Sequence, residues 1–222
     1  MSVQDQLKKI KGTIPPNVTL VAVSKTKPIE AVLEAYEAGQ RDFGENYVQE
    51  LISKQEVLPK DIRWHFIGHL QSNKVKMIAP FVHLIHGVDS VKLLEEINKQ
   101  GAKLNRVVPC LLQIHIAKEE SKFGFSYEEC GEFISSGKLD SMKFVQVQGL
   151  MGMGTNTGEL ALLKKEYSEL HTFYQKMREM QPAWTILSCG MSGDYLLAIE
   201  QGSNMVRIGS SIFGEREYQH KV

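Results

Sequence analysis

The chain has 222 residues, 26 Lys and Arg against 26 Asp and Glu, no formal net charge, and a hydrophobic fraction of 42%. That is enough apolar material for a substantial core, and without a basic run neither nucleic acid nor an anionic membrane is an expected partner. The amino terminus lacks the apolar core of a signal peptide, no apolar run reaches membrane-spanning length, and Cys110, Cys130 and Cys189 are spaced for neither a disulfide framework nor zinc. The expectation is a soluble, cytoplasmic protein.

Val3 to Ile10 reads as a short amphipathic helix, broken by Gly12 and Pro15-Pro16. The apolar, β-branched run from Val18 to Ser24 has strand length and stops at Lys25, with Pro28 close behind. Period-2 alternation sets Thr19, Val21, Val23 and Lys25 on one face and Leu20, Ala22 and Ser24 on the other. A lysine ending an apolar face sits at the rim of a core. Desolvation there favours the neutral amine, which can condense with an aldehyde to a Schiff base (imine). The alternative is a snorkelling ammonium held in water.

Ile29, Val32, Leu33 and Tyr36 then recur at helical spacing, closed by Gly39. Asp42 to Asn46 ends a second strand, and Tyr47 to Leu51 opens a helix. Trp64–Gly68 reads as strand three, Lys74–Ile78 as a helix, Val82–His86 as strand four, and Val91, Leu93, Leu94 and Ile97 as one face of the next helix. Val107–Ile116 is strand five and Tyr127–Ser135 a helix. Phe144–Gly149 is strand six, running into Gly149-Leu-Met-Gly152-Met-Gly154, expected as a tight turn. A long helix from Leu160 to Met177, strand seven at Trp184–Ser188, a helix at Tyr195–Glu200 and strand eight at Met205–Gly209 complete the chain. Eight strands, each followed by a helix or short loop, predict a parallel sheet closed as a single (β/α)8 barrel over residues 1–222; an open doubly wound sheet is the alternative.

In such barrels chemistry sits where strands end, and anions are often held by the loops after strands seven and eight. Here those loops are Ser188-Cys-Gly190-Met191-Ser192-Gly193-Asp194 and Gly209-Ser210-Ser211-Ile-Phe-Gly214, rich in small residues whose N–H groups can approach a phosphate. Plain helix capping by Ser192 or Asp194 competes with that reading. Arg207 shares a strand face with Met205 and Gly209. Because its charge is permanent it needs a partner, either a ligand or an acid such as Glu200 or Asp194. Barrel closure makes strands one and eight neighbours, so Lys25, Arg207 and the anion loops converge on one mouth. His65 and His69 straddle a strand end rather than a helix and are not expected to bind zinc. The glycine run at 149–154 is too loose for a dinucleotide fingerprint, Met151 and Met153 are read as packing, and Lys122 as a solvated loop lysine.

The segments Val21-Ala-Val-Ser-Lys25-Thr-Lys-Pro28, Phe43-Gly-Glu-Asn46-Tyr-Val-Gln-Glu50, Trp64-His-Phe-Ile-Gly-His-Leu-Gln71-Ser-Asn73-Lys74, Gly149-Leu-Met-Gly152, Ser188-Cys-Gly-Met191-Ser192-Gly-Asp194 and Val206-Arg207-Ile-Gly209-Ser-Ser-Ile-Phe-Gly214 span nearly the whole chain. Together they resemble the pyridoxal phosphate homeostasis protein family, in that family's order. The resemblance implies a barrel related to the N-terminal domain of alanine racemases, with pyridoxal 5′-phosphate (PLP) held as a Schiff base on Lys25. It places Asn46 near the cofactor, Arg207 against the pyridine nitrogen, and Met191, Ser192, Gly209 and Ser210 around the phosphate. It also implies a role in vitamin B6 homeostasis without established catalysis, with PLP-dependent apoenzymes as possible acceptors. An arginine facing the ring nitrogen keeps its own proton, which makes the ring a poor electron sink. With no second domain expected to supply an opposing tyrosine base, a monomeric carrier is favoured over an amino-acid racemase. A barrel aldolase, whose lysine would bind substrate directly, is the other enzyme reading.

Overall fold

The computed structural model describes residues 2–215. Eight strands, β1 (Thr19–Val23), β2 (Asp42–Glu45), β3 (Arg63–Phe66), β4 (Leu84–Val88), β5 (Val108–Ile114), β6 (Val145–Gly152), β7 (Ile186–Ser188) and β8 (Met205–Ile208), pair in parallel and in chain order. The ring closes where β1 meets β8, with Val21 opposite Arg207. The helices are α1 (Val3–Thr13), α2 (Ile29–Glu37), α3 (Val48–Val57), α4 (Val75–Ile78), α5 (Val91–Leu104), α6 (Tyr127–Ser135), α7 (Leu160–Met180), α8 (Tyr195–Glu200) and α9 (Ser210–Phe213). The open-sheet alternative is thereby set aside.

Strand alternation sorts the apolar residues into two layers. Val21, Leu84, Leu111, Met151 and Met205 pack on one another inside the ring. Leu20, Ala22, Val206 and Ile208 face outward into the larger cluster under the helices, with Leu51, Ile97, Tyr167 and Leu170. Burying a residue such as Leu170 is worth about 1.5–3 kcal/mol, so this outer layer supplies most of the stabilisation. Local signals set the helix ends. Ser126 Oγ accepts from Glu129 N while the Glu129 carboxylate accepts from Ser126 N, a reciprocal cap that starts α6 where the sequence predicts it.

The structure moves several predicted boundaries. α1 runs through Gly12 to Thr13, because Gly12 lies on open surface, and it stops only ahead of Pro15. β1 ends at Val23, so Lys25 sits in the turn beyond the strand rather than on its face. β4 starts at Leu84 because Val82 N still donates to Ile78 O at the end of α4. The glycine run is no turn: β6 continues through Gly149 to Gly152. Gly149 has φ +148°, and a Cβ there would lie 1.8 Å from Ile186 O, so glycine is what lets β7 pair closely with β6.

Candidate functional site

The turn that carries Lys25 is held from both sides. Ser24 N donates to Gly44 O and Lys27 N to Ser24 O, closing the turn. Lys54 Nζ, from α3, donates to Ser24 O at 2.7 Å, to Glu45 Oε1 at 2.7 Å and to Glu50 Oε1 at 2.8 Å. Ser24 Oγ donates to Glu45 Oε1 at 2.6 Å, and Thr26 N to Glu50 Oε1 at 2.6 Å. Both neighbours of Lys25 are thus fixed by one buried ionic cluster. Thr26 has φ +63°, a conformation costing a β-branched residue roughly 1–3 kcal/mol, and the cluster is what sustains it. Burial pushes the Glu45 carboxyl up to about 7, against the opposing pull of the Lys54 charge and its hydrogen bonds.

All seven residues that the sequence predicts for the site, Lys25, Asn46, Met191, Ser192, Arg207, Gly209 and Ser210, line one cavity of about 460 Å³ at the mouth formed by the strand C-termini. Arg207 enters it from β8, almost completely buried. Its Nη1 donates to Ser188 O at 2.9 Å and Ser188 Oγ at 2.6 Å, and its Nη2 to Gly152 O at 3.0 Å. These neutral acceptors replace the ion pair with Glu200 or Asp194 that the sequence left open. Burial lowers the guanidinium pKa, opposed by the neighbouring Cys189, Tyr167 and Asp194. Asp194 instead accepts from Met191 N at 2.6 Å and from Tyr167 OH at 2.8 Å, bracing the loop after β7. Ser192 Oγ accepts from Gly209 N at 3.2 Å and ties that loop to the one after β8. Asn46 Oδ1 is buried and has no hydrogen-bond partner among the described residues.

Sequence reasoning missed Lys27, Met153, Asn156 and Gly193 on the same cavity wall. Met153, read as packing, both touches the inner cluster and faces the cavity. Lys122 is not a free solvated lysine: it donates to Gly154 O at 2.6 Å and pairs with Glu119 at 3.1 Å. His65 and His69 do not converge. His69 bonds Asp89 at 2.9 Å and stacks on Phe123, whereas His65 is buried in the barrel. The three cysteines are buried and unpaired, and burial pushes the Cys130 thiol up to about 12, which keeps it inert.

The chain and its closed barrel are matched by known proteins. The family model described as alanine racemase, N-terminal domain, fits residues 2–217. A pyridoxal phosphate homeostasis protein of Vibrio alginolyticus is 41% identical over 212 residues, covering 93% of this chain and 90% of that one. The chain belongs to the pyridoxal phosphate homeostasis protein family. The family's member from Escherichia coli K12 is 37% identical over 95% of this chain and 91% of its own length. Among solved structures, PipY of Synechococcus elongatus without PLP superposes with a TM-score of 0.90 at 35% identity, over 96% of this chain and all of PipY. PipY with PLP bound gives 0.87 at 34% identity, over 96% of this chain and all of that one. An alanine racemase of Clostridium difficile gives 0.81 at 14% identity, over 96% of this chain and 56% of that one, a likeness of fold alone. No helix among the described residues of this family member is long and apolar enough to cross a membrane.

Proposed function

We propose that this protein binds pyridoxal 5′-phosphate in the Lys25–Arg207 cavity and serves intracellular vitamin B6 homeostasis as a carrier rather than as an enzyme. The carrying observation is the convergence of Lys25, Arg207 and the tied loops after β7 and β8 on one cavity, with Asn46 Oδ1 left wanting a donor there. The residues fit the group. Gly193 has open space where a Cβ would stand, so the backbone of the loop after β7 can be approached closely. The PLP bound by PipY and the naming of the curated relatives support the same assignment.

When bound, the cofactor supplies a reactive aldehyde and a ring able to accept electrons. Lys25 is the residue that holds the aldehyde carbon covalently, as a Schiff base, its backbone pinned by the Lys54 cluster. Arg207 donates a hydrogen bond to the ring nitrogen and keeps its own protons, leaving that nitrogen unprotonated. Asn46 orients the ring edge. Met191, Ser192, Gly209 and Ser210 receive the phosphate, the serines through their hydroxyls. A site built this way holds and exchanges an aldehyde but does not stabilise a carbanion. PLP-dependent apoenzymes are the acceptors that such a carrier serves, and we take it to act as a cytoplasmic monomer.

The purified protein is expected to be yellow and to fix one cofactor on borohydride treatment, at Lys25 by peptide mapping. Lys25→Ala should stay folded and lose that absorbance. An adduct on Lys27 or Lys122 instead would overturn the assignment.

A further inference from the structure

Beneath the cavity, a row of polar side chains crosses the barrel from one mouth to the other. Arg207 Nη1 donates to Ser188 Oγ at 2.6 Å, Ser188 Oγ lies 3.2 Å from His86 Nδ1, His86 Nε2 lies 2.9 Å from His65 Nδ1, and His65 Nε2 lies 3.1 Å from Asp42 Oδ1. Ser188, His86, His65, Arg207 and Asp42 are all buried. The members come from β8, β7, β4, β3 and β2. The Asp42 end borders a second cavity, of about 370 Å³, at the opposite mouth.

The ends of the row have fixed roles. Arg207 can only donate. Asp42, gripped by Arg63 Nε and Nη2 at 2.7 and 2.5 Å, is an ionised carboxylate and can only accept. Although burial acts to raise its pKa, the bonds from Arg63 and His65 hold it well below the usual carboxylate range. Ser188 Oγ receives Arg207, and with its own hydrogen given to His86 Nδ1 every bond of the row runs one way. His86, kept neutral by burial and by the charge of Arg207, then carries its proton on Nε2 and gives it to His65 Nδ1. His65 in turn donates from Nε2 to Asp42. Every donor points away from Arg207 and every group is satisfied. Since one end is a permanent cation and the other a fixed anion, the row delivers no net proton. It orients.

Asp42, His65 and His83 do bring three potential ligand atoms within 4.8 Å of one another. Arg63 bonds both oxygens of Asp42, however, and both nitrogens of His65 are bonded within the row, so Asp42 and His65 are engaged in this network rather than held open for a metal ion.

We propose that Ser188, His86, His65 and Asp42 are positioning residues that fix Arg207 toward the ring nitrogen, so that the floor of the barrel controls the electronic setting of the cofactor at its other mouth. The inference rests on the reading of Arg207 as the ring's partner. Histidine 15N NMR on the cofactor-free protein tests the row alone, with His86 expected as its neutral Nε2–H tautomer and His65 expected to accept at Nδ1. His86 protonated at Nδ1 would overturn the row. On the cofactor-loaded protein, His86→Leu and the more distant His65→Leu are expected to shift the absorbance maximum of the bound cofactor. They should also weaken its binding about tenfold, the worth of one charged hydrogen bond. His86→Asn, which keeps an acceptor toward Ser188, should restore most of both. If a leucine variant fails to fold, Ser188→Ala reads the same link. Folded variants with an unchanged spectrum and affinity would refute the positioning role. An unmutated protein that shows no bound-cofactor absorbance would refute the parent reading and leave the tautomer result to judge the row.

Discussion

At Lys54 a single amine meets two carboxylates and a carbonyl with almost no water. Its side chain is 4% exposed beside a Glu45 side chain at 0%. Removing one member of such a cluster leaves a buried charge uncompensated, which costs about 3–5 kcal/mol unless that group can neutralise itself. Glu45 can. A carboxyl whose folded pKa is raised binds a proton on folding, so stability is lost as pH climbs from the ordinary value of 4.5 through the folded value of about 7. Lys54→Met withdraws the one cation that offsets this, which raises the Glu45 pKa further and steepens the loss. The variant is expected to be less stable by roughly 3 kcal/mol at pH 8 and by clearly less at pH 5. Urea unfolding at the two pH values measures it, and an equal loss at both would show that Glu45 does not titrate in this range. The same variant loosens Ser24 and Thr26, so borohydride fixation at Lys25 should slow even where the fold survives.

The loops after β7 and β8 act as one element because Ser192 Oγ accepts from Gly209 N across them. α8 and α9 that follow are only six and four residues long. Their dipoles are therefore small, and phosphate binding has to come mainly from hydroxyls and loop N–H groups. Two consequences can be measured. Pyridoxal lacking its phosphate should bind far more weakly than the phosphate ester. Ser210→Glu should weaken binding of the ester by at least about 3 kcal/mol, on the scale of an unpaired buried charge, while affecting pyridoxal much less. Equal affinity for the two ligands in the unmutated protein, by fluorescence titration, would remove phosphate from this end of the cavity.

For the molecule as a whole, the barrel brings a lysine and a buried arginine to one cavity, but among the described residues lining that cavity there is no tyrosine or histidine to act as a second base. Transimination breaks no carbon–hydrogen bond, so amino acids should exchange at Lys25. Racemisation requires that bond broken on one face and remade on the other. Holo-protein incubated with L-alanine in deuterated water should therefore show α-proton exchange only at the slow rate of free PLP when followed by NMR. Enzyme-like exchange abolished by Lys25→Ala would restore the racemase reading.

Periodicity and local chemistry are written along the chain, and for that reason eight strand–helix alternations, the Lys25 and Arg207 positions and the small-residue loops after β7 and β8 could be read from sequence, while Asn46 and Met191 came from the family resemblance. What failed was decided at a distance. Gly149 looks like a turn residue until β7 packs against it, and Lys25 looks like a strand residue until the Lys54 cluster bends the chain after Val23. His65 and His86 are 21 positions apart, and His86 and Ser188 are 102 apart, so no spacing announces that they touch. Hydrophobic patterning and capping act within a few residues, so the order of side chains already says which groups the protein owns and which elements carry them. Closure of the barrel alone decided which of those groups share a cavity, and that the arginine at its top is anchored through the core to an aspartate at its floor, because a ring of parallel strands brings every inward side chain to one axis.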